Sequence, residues 1–331
     1  MCCNMQVLTK TRGAHVQERS FQVGDTVITK VLDLHLNDFT AEQLLPGVHT
    51  KLLTRESGAF DSRTYDPESG KVPLSVHTWV VRHEGKIFLI DTGAGNGKNR
   101  PQLKVLDHLN DPYLERLENI GVQPDQVDYI LLTHIHADHV GWNTVKKDGQ
   151  WKPTFPNATV ICSDREWRYS AALANEDEEA AGAIRKEAGL GEAKRFPTPG
   201  VFSDSMAPVE AEGKLQRIVI NGDEVLRGIR FLPTPGHSID HAAISITSQG
   251  HEAIFGGDLV HHPFEFNNPE LVSMFCEFPG AARTSRRELA NRAAASGALY
   301  FSSHFPVSSA GRITQSDNSY KWTFAEPDTQ E

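Results

Sequence analysis

Short apolar runs recur along the chain, and each stops at small, turn-forming or ionisable residues. Tyr129-Ile130-Leu131-Leu132 does not alternate and is too short for a helix, so it predicts a strand buried on both faces. Phe21 to Leu36 is strand-like through Val27, Ile28, Val31 and Leu32. Val76 to Asp91 predicts a hairpin with its turn at Glu84-Gly85. Further strands are expected at Thr159-Val160-Ile161, at Gly228-Ile229-Arg230-Phe231-Leu232, from Ile254 to Asp258 and from Leu299 to His304.

Helical signals lie between these runs. Asp111 as N-cap and Pro112 at the first position open a helix carrying Tyr113, Leu114, Leu117 and Ile120, which stops at Gly121. Ser163-Asp164-Arg165-Glu166 reads as a capping box leading through Trp167 and Tyr169. Residues 282–297 read as a helix with Thr284 as N-cap and Gly297 as its stop. The mixture is α/β, with neither internal repeat nor linker. One domain is expected over 21–331, after a disordered or extended lead-in at 1–20, with loop insertions near 37–75, 165–200 and 261–281. In the first insertion, Phe60 and Tyr65 read as loop aromatics that pack down rather than line a substrate mouth. The charge run at 175–195 reads as a solvated helical face, with a lid over the site as the second reading.

Composition narrows the partners. Hydrophobic residues make up 39% and charged residues 23%, which suits a sizeable core. With 33 basic and 43 acidic residues the net charge is −10, which argues against nucleic acid or an anionic membrane surface. Cys2, Cys3, Cys162 and Cys276 do not form a disulfide framework. No run approaches a membrane span, and residues 1–20 lack an apolar signal core, so a cytoplasmic location is expected. The partner expected is a small molecule, and a homodimer is left open.

The chemistry concentrates at Thr133-His134-Ile135-His136-Ala137-Asp138-His139, at the mouth of the buried strand. Three imidazoles and a carboxylate there are costly to desolvate, and a divalent cation compensates that cost. Alternation in a tight turn lets His134 and His136 face one metal while Asp138 and His139 face a second. Four ligands cannot close two sites. Further strand-end candidates are His237 in Pro233-Thr234-Pro235-Gly236-His237, Asp258 after Ile254-Phe255-Gly256-Gly257, and His304 after Phe301-Ser302-Ser303. Asp91-Thr92-Gly93-Ala94-Gly95 is glycine-rich but lacks both nucleotide-binding patterns, so a phosphate cradle is rejected.

At these residues the chain resembles the metallo-β-lactamase superfamily, from about Val76 to about Ile313. The runs Gly257-Asp258-Leu259-Val260-His261-His262-Pro263 and Ser303-His304-Phe305-Pro306 look most like its quorum-quenching lactonase and organophosphate-hydrolase-related branch. The resemblance implies an αβ/βα four-layer sandwich, two mixed sheets with helices outside and metals at one sheet edge. It also implies that Asp91 supports the metal loop from behind. His134, His136 and His237 are assigned to one metal, Asp138, His139 and His304 to the other, and Asp258 bridges. Imidazole and carboxylate ligands without thiolate suit zinc best, with manganese, cobalt or iron tolerated. Asp138, Asp258 and His261 are the catalytic candidates. The expected reaction is hydrolysis of an ester-type bond by a hydroxide shared between the metals. A lactone like an N-acyl-homoserine lactone comes first, an aryl ester or phosphotriester next, then a glyoxalase-type thioester. A binding module that keeps the fold without turnover is the non-enzymatic alternative. The related lactonases carry a substrate-contacting tyrosine three residues after the bridging Asp, where this chain has His261.

Overall fold

The computed structural model describes residues 20–49, 53 and 61–328. Phe60 and nearly all of the expected lead-in therefore lie outside the described residues. Strands β1 (Ser20–Val23), β2 (Thr26–Leu36), β3 (Leu74–His83), β4 (Lys86–Ile90) and β5 (Tyr129–Leu131) are followed by a separate hairpin, β6 (Thr144–Lys147) and β7 (Gln150–Pro153), which the apolar pattern did not signal. Then come β8 (Thr159–Ser163), β9 (Leu215–Ile218), β10 (Glu224–Leu226), β11 (Ile229–Pro233), β12 (Ala242–Ser248), β13 (His251–Phe255), β14 (Leu299–Phe301), β15 (Ala310–Ser316) and β16 (Ser319–Phe324). One sheet runs β1-β2-β3-β4-β5-β8-β9 and the other β10 through β16 in order. Both are mixed: β4, β5, β8 and β9 pair in parallel, as do β13 and β14, and the other pairs are antiparallel.

The strand period of two builds the layers. Trp79, Val81, Phe88, Ile90 and Leu131 of the first sheet face Phe231, Ile244, Phe255 and Phe301 of the second. There the Phe255 and Phe301 rings stack with centroids 4.9 Å apart, and Trp79 meets Phe301 edge-on. The alternate residues Val80, Leu89 and Ile130 point the other way, onto Tyr113 and Leu117 of the helix Tyr113–Asn119. Ala243, Ile254 and Tyr300 pack outward on Leu289, Ala290 and Ala293 of the helix Pro279–Ser296. The result is the expected helix–sheet–sheet–helix sandwich. Because β5 feeds both apolar layers, its sequence is apolar without alternation. The β3–β4 turn has positive φ at both central residues, Glu84 and Gly85, as a two-residue hairpin requires.

Three local expectations need correction. Asp111 does not cap its helix. Its carboxylate accepts from Arg116 Nη2 at 2.7 Å, a charge-assisted bond that outcompetes capping of neutral N–H groups. Thr284 is not an N-cap, because the helix already begins at Pro279, whose ring suits the first position; Thr284 sits inside and donates to the Gly280 carbonyl. Gly297 does end that helix, in the left-handed region at φ 63°. Ser163 accepts from the Glu166 N–H at 3.1 Å, but Glu166 does not return the bond and turns inward instead. The charge run contains a helix, Glu178–Glu187, that buries Ala181, Ile184 and Arg185 and exposes most of its other face to solvent. Cys162 and Cys276 are free and buried.

Close backbone contact joins the two loops that carry the site. Gly141 N–H donates to the Gly93 carbonyl at 2.8 Å, and a Cβ on Gly141 would lie 1.9 Å from the Ala94 backbone. Gly141→Ala is expected to destabilise the protein by about 1–3 kcal/mol or more. Gly182, inside the helix Glu178–Glu187, has only Arg185 Nη2 at 3.6 Å from such a Cβ, so Gly182→Ala should stabilise by roughly 0.5–1 kcal/mol. Urea midpoints measured side by side check both signs.

Candidate metal centre

Five strands end at one edge of the sandwich. β4 delivers Asp91, β5 the loop 133–139, β11 the loop 234–241, β13 Asp258 and β14 His304. Asp91 adopts the left-handed region at φ 54° and faces back into the β5 loop. It accepts from Thr133 N at 2.8 Å, Thr133 Oγ1 at 2.8 Å and His139 Nδ1 at 2.7 Å, which is the supporting position its place in sequence suggests. Thr92 N–H donates to the His139 carbonyl, closing the loop from the other side.

The side chains converge in two groups. Nitrogens of His134, His136 and His237 lie within 4.8 Å of one another, as do ligand atoms of Asp138, His139 and His304. Asp258 stands between the groups. Its Oδ1 lies 3.1 Å from His139 Nε2 and 2.9 Å from His304 Nε2, while its Oδ2 lies 3.3 Å from His237 Nε2. Asp138 reaches His304 Nε2 at 3.6 Å and keeps 20% of its side chain exposed. His261 joins the edge too, its Nε2 3.2 Å from Asp258 Oδ2, with neither ring nitrogen hydrogen-bonded. His262 turns away: Nε2 meets the Thr64 carbonyl at 2.8 Å and Nδ1 accepts from Phe264 N, and burial lowers it to about 4.

The donor set fits divalent cations. His134 Nε2, His139 Nε2 and Asp258 Oδ1 are buried side by side without hydrogen-bond partners, which is expensive unless a cation compensates. Burial holds His134 and His237 well below the usual imidazole range, in the neutral form that offers a lone pair. His139 goes the other way: burial opposes its charge, but Asp258, Asp138 and Asp91 carry it well above that range. Burial likewise opposes the Asp258 charge, yet the surrounding imidazoles hold its carboxyl well below the ordinary value.

A pocket opens onto this edge. Leu36, Phe39, Leu103, Val105 and Phe275 supply an apolar wall, His136, Asp138, Asp258, His261 and His304 the floor, and Arg195 a cation. The first insertion thus contributes Phe39 to the wall, whereas Tyr65 packs edge-on against Phe264. The charged helix Glu178–Glu187 is not in the wall; the segment just past it, Arg195 to Thr198, is.

Residues 72–304 match the family pattern of the metallo-beta-lactamase superfamily. The chain belongs to that superfamily. Its similarity to individual members is modest. N-acyl homoserine lactonase AiiA of Bacillus thuringiensis subsp. kurstaki is 29% identical over 192 residues, 53% of this chain and 60% of that protein. An N-acyl homoserine lactonase of Bacillus cereus is 23% identical over the same length. The matched stretch thus spans less than two thirds of these curated relatives. Among solved structures, hydrolase AbOPH has a TM-score of 0.69 at 27% identity, over 95% of this chain and 98% of that one. AidC, a dizinc quorum-quenching lactonase crystallised with its product, shares the fold at a TM-score of 0.67 and 18% identity over the same shares.

Several residues at this metallo-beta-lactamase edge were not legible in the sequence. His241 Nε2 accepts from the Asp258 N–H at 3.0 Å while Nδ1 donates to Thr234 Oγ1 at 2.8 Å, and burial lowers it to about 3. Its spacing four residues after His237 was the available signal. Glu277 accepts from His136 Nε2 at 2.8 Å, across 141 positions of chain, and nothing in the sequence announced it. Glu166, raised by burial to about 7, accepts from Ser238 and from the Asp240 N–H, holding the His237 loop. Glu265 accepts from the His261 and His262 N–H groups and is itself paired with buried Arg286 at 2.6 Å.

Asp91→Ala removes the acceptor for one buried N–H and one buried ring nitrogen. We expect a loss of about 2–3 kcal/mol in urea unfolding of metal-free protein, and a smaller loss for Asp91→Asn, which keeps one acceptor oxygen.

Proposed function

We propose that the protein is a hydrolase of ester-type bonds that works with two divalent cations, zinc foremost, and that a lactone of the N-acyl-homoserine-lactone kind is its first substrate. The observation that carries this reading is Asp258, a buried carboxylate whose two oxygens face two different groups of ligand-type side chains. His134, His136 and His237 would hold one ion, Asp138, His139 and His304 the other, and Asp258 both. Bound there, the ions would supply a water acidic enough to attack at neutral pH and an electrophile for the carbonyl oxygen.

The chain's own residues complete the chemistry. Asp138, partly exposed on the pocket floor, accepts the hydrogen bond that orients the attacking water. Apolar side chains from Leu36 to Phe275 exclude bulk water and suit an acyl chain. His261 is placed to donate to the substrate carbonyl or to protonate the leaving alkoxide, worth about 10²–10⁴-fold. The relatives named as N-acyl homoserine lactonases support the substrate class. A second reading, an aryl ester or phosphotriester, is favoured by His261 standing where the lactonases it resembles have tyrosine. Net charge of −10 speaks against a nucleic-acid substrate, and no helix among the described residues is long and apolar enough to cross a membrane.

The deciding experiment measures metal content and turnover of zinc-loaded protein on lactones, aryl esters and phosphotriesters. Two bound metals without turnover on any of them would leave a binding module instead. Asp258→Asn should abolish most turnover while the fold persists; full activity with both metals retained would refute the bridging role. His261→Ala should lower kcat by about 10²–10⁴-fold with both metals kept. His262→Ala, compared per folded molecule, should change kcat little. Near-normal kcat in His261→Ala sinks the donor role.

A further inference from the structure

We propose that Glu277 is a positioning residue for the first histidine group, doing for His136 what Asp91 does for His139. This rests on the dinuclear reading above. His136 has two ring nitrogens with different surroundings: Nε2 meets Glu277 Oε1 at 2.8 Å, and Nδ1 lies 2.9 Å from His237 Nε2, inside the group. A carboxylate can only accept, so Nε2 carries the hydrogen and Nδ1 keeps its lone pair facing inward. The same logic holds at His139, where Nδ1 donates to Asp91 at 2.7 Å and Nε2 faces Asp258. Each group thus contains one imidazole whose outward nitrogen rests on a buried carboxylate. Such a partner fixes the ring and makes it a better donor to a cation.

A second observation concerns the charge of Glu277. The residue is 1% exposed, and its Oε2 has no hydrogen-bond partner. Among the described residues, His136 is its one ion-pair partner. A buried carboxylate left half unpaired is costly, and the cost falls when a cation sits beyond the imidazole it touches. The backbone of Glu277 is fixed as well: its N–H donates to the His237 carbonyl at 2.9 Å, and its carbonyl accepts from the Lys194 N–H at 2.7 Å. The same residue therefore ties His136, the His237 loop and the start of the Arg195–Thr198 pocket wall together.

The test reads zinc binding, not turnover. Wild type, Glu277→Ala, Glu277→Gln, His136→Ala and the Glu277→Ala/His136→Ala double variant are freed of metal and titrated with zinc against a chromophoric chelator. Glu277→Ala is expected to weaken one of the two zinc ions by about 10–100-fold and leave the other unchanged. Glu277→Gln, which keeps an acceptor oxygen for His136, should recover part of that loss. In the His136→Ala background, Glu277→Ala should add nothing further, because the two act as one unit. Two zinc ions held as in wild type by Glu277→Ala would overturn the proposal. So would equal weakening of both ions, or a loss that persists undiminished without His136. These results leave the dinuclear reading intact, whereas wild-type protein binding fewer than two zinc ions removes that reading and this one together.

Discussion

The burial of Asp258 is the constraint on which the rest of the structure turns. A carboxylate 3% exposed, with no lysine or arginine within ion-pair reach among the described residues, costs several kcal/mol unless its surroundings compensate. Those surroundings are five imidazoles within 4 Å: His134, His139, His237, His261 and His304. They come from both sheets, so strands of both must end at the same level. The approach of Asp258 to this cluster leaves no room for side chains before it. A Cβ on Gly256 would lie 1.7 Å from Tyr300 Oη, and one on Gly257 would lie 2.4 Å from His241 Nε2, at a φ of +53° that a side chain would strain as well. The two glycines are therefore part of the site, although neither carries chemistry.

Around that core, each imidazole is held by a different kind of group. His139 rests on the Asp91 carboxylate, His136 on Glu277, His304 on the Ser75 carbonyl at 3.0 Å and His134 on Thr133 Oγ1 at 3.0 Å. His237 has only the weak contact of Cys276 Sγ at 3.8 Å, and its loop is instead fixed through Glu166 and Glu277. The carboxylates behind His139 and His136 place negative charge on both sides of the edge. The site is thus built to receive positive charge in two places, and the sandwich supplies a rigid frame for holding it there.

What the sequence disclosed follows from this arrangement. Ligand-type residues immediately after apolar runs were legible because a strand carries its last residues to a fixed place, and strand period assigned the layers correctly from Trp79 to Phe301. Asp91 was legible for the same reason. His241, Glu277, Glu166 and Glu265 were not, since each acts through a contact made across a folded loop or from a helix whose orientation no local pattern encodes. The capping expectations failed on a related ground. Asp111 and Glu166 have the right residue types for helix starts, but Arg116 in one case and the His237 loop in the other offer stronger bonds than neutral capping. Local preference yields where a charged group finds a buried partner.

The pattern of outer partners also separates His261 from the other histidines at the edge. A ligand must have its ring fixed and its tautomer set, and hydrogen bonds from the outward nitrogen do both. His134, His136, His139 and His304 each have such a bond, and His237 has its sulfur contact. His261 has none at either nitrogen, although it is 2% exposed and its ring lies parallel to His304 with centroids 5.4 Å apart. Its backbone, by contrast, is anchored firmly through the buried Glu265–Arg286 pair. The chain is held while the imidazole keeps both nitrogens uncommitted. A metal ligand is served poorly by that arrangement; a group that must give up a proton to a leaving oxygen and then recover one is served well by it.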